Sequence, residues 1–494
     1  MSTKGQDWKF YGRKEQLSHI TDVLSRNRWF FMKITGRRRI GKTALINEAI
    51  RQLNCKRQVF YMQIPDSGDV GILSSFCDAL NTFAIPCDLI PRPQNLSDLV
   101  KTLESLIRGG YVIVLDEFQY LNRKHFAGFC SLLQHMVDNL SQNVAAVRGG
   151  LIVSGSIHTE MTALLEDRHS PLYNRVTDSL ELTHLDISSI LEILGDHADD
   201  SPERLLFLWS LFEGIPKFYR DCFEQGVLMA DRKEILRKIF FESSSPLRSE
   251  AESWFLHELK GKYDSVLKFV ARNPGRPHKD LVEAIQQYDG DASTQVGGYL
   301  KILTERYQLI ERRMPIFAKP EARKGRYYLS DNFLQSWLGS LSGPVAARDF
   351  RPKEDLLSET DASLETVEGH SLEKLAGKLY EERSRKGIGD FPLTHRIQGY
   401  WDKHGTEIDI VVVHEKNKRL RFGSCKRSPS KLISDLPNIK SHVSRFLNVF
   451  QKYSQDGWEI DIVGIAPRLE QKHRVILERY DVIPQDLRDL MREL

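Results

Sequence analysis

Apolar residues along this chain fall into two alternating patterns. Apolar runs at Trp29–Ile34, interrupted only by Lys33, and at Val59–Met62, Tyr111–Leu115 and Leu151–Val153 read as strands, the longer ones buried on both faces of a parallel sheet. Between them, Ala44–Ile50 and Asp98–Ile107 repeat apolar positions every three or four residues, the period of an amphipathic helix. This alternation predicts a doubly wound α/β domain over residues 1–185. From Asp186 to about Trp254 the period is helical, with Leu205–Trp209 and Ile235–Phe240 as core faces, predicting a helical lid over 186–255. Residues 256–341 read as three helices, Ser265–Ala271, Lys279–Ile285 and Val296–Leu303, then a β wing pairing Leu309–Arg313 with Gly325–Leu329, the order of a winged helix. The polar, acidic stretch 342–368, with Pro344 and Pro352, reads as a connector. Beyond it, the amphipathic helix Ser371–Tyr380 and the stretches Gly399–Asp402, Glu407–Val413 and Arg421–Lys426 predict a further α/β domain over 369–494.

Composition narrows the function classes. The 70 basic and 67 acidic residues leave a net charge of +3, so no whole-chain field argues for nucleic acid or an anionic membrane, and any such contact must be local. No apolar run approaches the ~20 residues that span a bilayer, and MSTKGQDWKF lacks the apolar core of a secretion signal; a cytoplasmic protein without a membrane partner is expected. Cys55, Cys77, Cys87, Cys130, Cys222 and Cys425 show no ligand spacing and are expected to be reduced thiols without zinc.

The candidate chemistry centres on Gly36-Arg37-Arg38-Arg39-Ile40-Gly41-Lys42-Thr43-Ala44, between the first strand and its helix. Glycines at Gly36 and Gly41 let successive N–H groups point into one cavity, and the helix start adds a positive dipole end, so the loop is built for phosphate. Lys42 is expected on the β and γ phosphates and the Thr43 hydroxyl on magnesium. Arg37, Arg38 and Arg39 raise the local potential and have no separate role. At the end of the buried Tyr111–Leu115 run, Asp116 is expected to hold magnesium and Glu117 to polarise the attacking water. Ser156 or Ser154, at the tip of a neighbouring strand, suits a sensor of the γ phosphate. Arg175 could reach a phosphate of its own or a neighbouring subunit, or form a structural salt bridge.

FYGRKEQL, GRRRIGKT, VIVLDEFQYL, LIVSGS, PLYNR and GIPKFY together resemble the prokaryotic ATPase family of the AAA+/STAND group, often found with a DUF234-type C-terminal region. The resemblance covers nearly the whole chain. It implies bound ATP and Mg2+, places Gly12 and Arg13 near the nucleotide, and assigns Gly214-Ile215-Pro216 to a lid motif that contacts base or ribose. It also supports the winged helix, whose basic residues Arg312, Arg313, Lys319, Arg323, Lys324 and Arg326 gather at the wing; phosphate contacts to double-stranded DNA and simple packing on the ATPase both stay open. A protein partner or self-assembly is equally open.

The last domain resembles the restriction-endonuclease-like region of the same family. Glu373, Asp409 and Lys426 supply a helix acid, a strand acid and the lysine of a (D/E)xK strand, the requirements of a metal-dependent PD-(D/E)xK nuclease. The motif's acid, however, falls on Ser424, and a hydroxyl replaces neither the charge nor the oxygen ligand of a carboxylate. Glu407 is expected on the opposite face of its strand from Asp409. The expected fold class is therefore α/β, a P-loop NTPase domain with helical lid, a winged helix and a restriction-endonuclease-like domain. The expected function is a slow ATP-hydrolysing switch controlling a degenerate nuclease fold, with an ATP-regulated Mg-dependent DNA nuclease as the alternative.

Overall fold

A computed structural model describes residues 7–53, 58–85, 92–156, 158–248, 250, 262–288, 295–319, 321–455 and 457–494. The end of the expected lid, the 255/256 boundary, Cys55 and Cys87 lie outside them. The chain divides into two compact units, one of Lys9–Leu185 with Ile215–Lys217, the other of Asp186–Gly214 and Phe218–Leu494 with the residues through Trp8.

The first unit opens with α1 (Lys14–Ser25), then β1 (Phe31–Gly36), α2 (Lys42–Gln52), β2 (Val59–Gln63), α3 (Asp69–Thr82), α4 (Leu96–Arg108), β3 (Val112–Asp116), α5 (Ala127–Ser141), β4 (Gly150–Gly155), α6 (His158–Leu165) and β5 (Asp178–Leu182). All strand pairings are parallel, in the order β2-β3-β4-β1-β5. The apolar runs become strands because β3 and β4 are buried at every residue. On one face Phe31, Phe60, Ile113, Leu115, Leu151 and Val153 pack with Phe76, Leu103 and Leu133 of α3, α4 and α5. Alternate residues Met32, Ile34, Val114 and Ile152 are equally buried and point to the other side. Parallel strands all end at one edge, so the β1, β3 and β4 tips share a level.

The second unit begins with α7 (Ile187–His197) and α8 (Pro202–Phe212), followed by α9 (Pro216–Glu224), whose first residues count with the first unit, and α10 (Arg232–Leu236). Next come α11 (Lys262–Arg272), β6 (Arg276–Pro277), α12 (His278–Tyr288), α13 (Val296–Lys301), β7 (Ile310–Arg313) and β8 (Arg326–Leu329), the strands forming an antiparallel sheet β6-β8-β7. After α14 (Asn332–Ser336) and α15 (Ser342–Ala347), the stretch expected as a connector is largely helical. It enters α16 (Lys353–Arg385), 33 residues long, which runs through the expected 368/369 boundary. Its acidic residues sit beside a buried stripe of Leu356, Thr360, Leu364, Val367, Leu372, Leu375 and Leu379, so tertiary packing holds a helix where composition suggested a link.

The chain ends with β9 (Gln398–Trp401), β10 (Glu407–His414), β11 (Arg419–Cys425), α17 (Pro429–Ser434), α18 (Leu436–Val449), α19 (Lys452–Gln455), β12 (Glu459–Ala466), α20 (Gln471–Arg479), β13 (Ile483–Asp486) and α21 (Leu487–Met491). They form a mixed sheet β13-β12-β11-β10-β9, antiparallel at β9-β10-β11 and parallel at β11-β12-β13. The loop between β7 and β8 is docked on this sheet. The Ile316 N–H donates to Gly399 O at 2.9 Å, Phe317 stacks on Tyr453, and the Trp401 indole donates to Lys324 O at 2.8 Å.

Candidate nucleotide site

The loop after β1 turns because two glycines adopt backbone angles that side chains resist. Gly36 has φ +148°, and a Cβ there would stand 2.6 Å from Leu182 O on β5. Gly41 has φ +96° and forms the N-cap of α2, so the first N–H groups of that helix open onto the loop. Pro216 lies against Gly41, 3.6 Å from where a Cβ would be. Pro216 of the family-derived Gly-Ile-Pro stretch thus meets the loop within one compact unit.

Lys42, the first residue of α2, is 6% exposed. Its Nζ donates to the carbonyls of Gly36 at 2.8 Å and Arg37 at 3.1 Å. Burial pushes its pKa down to about 8, against the pull of Glu117 and Asp116, while Arg38 adds to the lowering. Thr43 and Ala44 are exposed at the helix start, and Ile40 is buried beneath the loop. Arg39 takes a left-handed φ of 64°. Arg13, next to Gly12, donates through Nη2 to Ile40 O at 3.3 Å and to Thr183 O, buttressing the loop from behind.

Asp116, at the tip of β3, is buried, and its two oxygens have different partners. Oδ2 accepts Thr43 Oγ1 at 2.8 Å and the Tyr61 hydroxyl at 2.9 Å, while Oδ1 accepts the Glu117 N–H at 2.9 Å. Burial first, then Asp116, raises the Tyr61 pKa, so the phenol stays a neutral donor. Glu117 takes φ 54° and caps a short turn, Phe118–Leu121. Its Oε2 accepts Ser156 Oγ at 3.4 Å and an amide N–H of Gln119. Of the two sensor candidates, Ser156 faces this cluster; Ser154 is fully buried, its hydroxyl without a hydrogen-bond partner among the described residues. Lys42, Thr43, Asp116, Glu117 and Ser156 are therefore brought together. Arg175 grips Asp138 of α5 through Nε and Nη2, at 2.7 and 3.0 Å, forming the salt bridge that was one of its two expected roles.

Tyr61 and Gln119 were not singled out from the sequence. Each lay within a segment already read, Tyr61 in the β2 run and Gln119 just past Glu117. Their roles depend on strand register: Tyr61 pairs with Val114, which sets its ring beside the β3 tip.

At the other candidate cluster, Asp409 on β10 accepts on one oxygen, Oδ2, from the Cys425 N–H at 2.8 Å, Lys426 Nζ at 3.2 Å and Ser424 Oγ at 3.4 Å. Glu373 of α16 is half-buried, and burial, then Asp409, push its pKa up to about 8. Glu407 corrects the expectation made for it. Residues two apart on a strand share a face, and its charge raises Glu373 alongside Asp409. Its carboxylate is held by Arg326 of β8, with Nη1–Oε1 at 2.5 Å, and Arg326 also covers the Trp401 ring at 4.7 Å. Two wing cations counted from the sequence are thus engaged within the chain, Arg326 here and Arg313 with Glu311 at 3.0 Å.

A parallel sheet with a glycine turn after its first strand, a buried acid at a strand end and a serine hydroxyl beside it has the arrangement of a P-loop ATPase domain. Residues 10–218 match the family described as an ATPase domain predominantly from Archaea. Residues 345–436 match the family of archaeal and bacterial proteins of unknown function called DUF234. The first match thus places an ATPase domain over residues 10–218, and the second a DUF234 region over residues 345–436. The chain is 25% identical over 453 residues to an uncharacterized protein of Methanocaldococcus jannaschii, covering 90% of this chain and 94% of that one. Among solved structures it is similar to the Walker-type ATPase of Pyrococcus abyssi, at 18% identity, 67% of this chain, 96% of that one and a TM-score of 0.48. It is also similar to the ORC2 protein of Aeropyrum pernix, solved in ADPNP–ADP complexes, at 15% identity, 73% and 97% coverage and a TM-score of 0.45. Among the described residues no helix is long and apolar enough to cross a membrane.

Proposed function

We propose that this chain is a slow Mg-dependent ATPase acting as a switch, in which nucleotide occupancy repositions a winged helix and a degenerate nuclease-like domain toward DNA or a protein partner. The observation that carries the ATPase step is the shared Oδ2 of Asp116, which joins Thr43 to the β3 tip beside the buried Lys42. These residues fit magnesium and triphosphate, since hydroxyl and carboxylate oxygens suit a hard cation and the glycine loop leaves backbone N–H groups for phosphate. Bound magnesium supplies charge neutralisation at the phosphates. Lys42 would exchange its two carbonyl partners for phosphate oxygens, and Thr43 and Asp116 would serve as ligands. Glu117 would orient water and take its proton, and Ser156 would report the γ phosphate.

The arrangement of α11, α12 and α13 with β6, β7 and β8 supports the winged-helix reading. Engagement of Arg313 and Arg326 inside the chain favours a wing that packs over one that reads DNA. The test is ATP hydrolysis by wild type against Lys42→Ala, with and without double-stranded DNA. Turnover lost in the variant and raised by DNA supports a DNA-responsive ATPase; turnover indifferent to DNA moves the partner to a protein. Failure of wild type to hydrolyse ATP overturns the reading.

The nuclease alternative draws support from the convergence of Glu373, Asp409 and Lys426. Against it stand Ser424 and the closure of Lys426 on Asp409. Plasmid cutting in Mg2+ or Mn2+ that disappears in Asp409→Ala would establish it.

A further inference from the structure

Gln119 is 3% exposed and lies in the turn that follows Glu117. Its side-chain amide is used at both ends. Oε1 accepts the Ser156 backbone N–H at 3.3 Å; Nε2 donates to Ser156 Oγ at 3.3 Å and to Glu117 Oε2. The orientation of the amide follows from its partners: a backbone N–H needs an acceptor and a carboxylate needs a donor, so the flipped amide would meet both wrongly. Room for it comes from Gly155, where a Cβ would stand 2.7 Å from Gln119 Oε1. Glu117 contributes a left-handed backbone angle that non-glycine residues rarely adopt, and such angles persist where surroundings over-determine them.

We propose that Gln119 is the positioning residue for the Glu117 carboxylate, tying it to the tip of β4 at Ser156. This rests on the proposed role of Glu117 as base. Glu117 Oε2 has two donors, Gln119 Nε2 and Ser156 Oγ. When the Ser156 hydroxyl turns to a γ phosphate it leaves Oε2, while Gln119 keeps both the Ser156 N–H and Glu117. The amide then holds Oε2 alone and leaves Oε1 for water. A neutral amide does this without adding charge.

The test uses the full chain. Steady-state ATP hydrolysis is followed for wild type, Glu117→Gln and Gln119→Leu, with ADP affinity by calorimetry and melting temperature for each. Gln119→Leu is expected to lower kcat about tenfold or more, the scale of a lost orientation, with KM and ADP affinity within about twofold. The inference is overturned if Gln119→Leu keeps kcat within about twofold, or if it loses ADP affinity and melting temperature together with kcat. The two readings fail separately. Wild-type hydrolysis by Glu117→Gln removes the base itself, whereas an inactive Glu117→Gln beside a normal Gln119→Leu removes only the role of Gln119.

Discussion

Two carboxylates sit in comparable places, Asp116 at the tip of β3 and Asp409 on β10, and each gathers more than one donor on its Oδ2. The difference is the charge of the donors. Asp116 Oδ2 is held by two hydroxyls, of Thr43 and Tyr61, which can turn away or join a cation's shell. Asp409 Oδ2 already faces the Lys426 ammonium, and burial and the Asp409 charge hold the nearby Glu373 carboxyl above its usual range. An incoming divalent cation would meet neutral donors at the first cluster but would have to displace an internal cation at the second. Counting acids does not separate these sites; asking what neutralises them does.

The largest expected effect is at Lys42. Lys42→Ala should lower ATP hydrolysis at least about a hundredfold, because the variant loses the buried ammonium proposed to meet the transferring phosphoryl group. Phosphate release against wild type measures it. Next comes a matched pair of carboxamides. Asp409→Asn leaves Lys426 without its full counter-charge and should cost about 2 kcal/mol in urea denaturation, the scale of a charge-assisted hydrogen bond. Asp116→Asn keeps an oxygen for the two hydroxyls but turns an NH2 toward the Glu117 N–H, and should cost about 1 kcal/mol while abolishing hydrolysis. Equal losses of stability would break the comparison.

The pH dependence sharpens it. Free Lys42 deprotonates near pH 8 and phosphate needs the ammonium, so nucleotide affinity should hold below pH 8 and weaken by up to about tenfold per unit above it. The sign for folding is opposite. The unfolded lysine keeps its proton to higher pH, so this group makes the empty protein more stable as pH rises from about 8 toward the ordinary lysine range. Calorimetric titrations at several pH values read the first, denaturation of nucleotide-free protein the second. The smallest effect is expected from Tyr61→Phe, which removes one donor from Asp116. A few-fold rise in the Mg2+ concentration for half-maximal hydrolysis, with nucleotide affinity in EDTA unchanged, is the expected result.

The phosphate loop was legible because its chemistry demands glycine, lysine and threonine at set spacing, and the strand-end acids because an uninterrupted apolar run leads to them. Tyr61 and Gln119 were not, since tyrosine and glutamine are ordinary in such segments and acquire their partners only through register. Arg175 carried two expected roles, and the partner of its salt bridge, Asp138 of α5, comes only with the fold. The stretch 353–368 misled because acidic composition outweighed a buried stripe that was present in the sequence. The basic wing was visible as charge, but its carboxylate partner Glu407 lies far along the chain and had been turned to the wrong face.

The helix α16 has one more consequence. At 1.5 Å per residue it is a rod about 50 Å long. Along it, Arg232 of α10 grips Asp361, Lys374 meets Glu213 at the end of α8, and Glu382 accepts the first N–H groups of α7. The same rod carries Glu373 toward Asp409 and binds Arg427 through Glu368. Such a beam transmits torque rather than absorbing it. A tilt of about 5° at one end sweeps the other by about 4 Å, so a small rocking of the lid helices arrives at the C-terminal sheet as a displacement wider than a hydrogen bond.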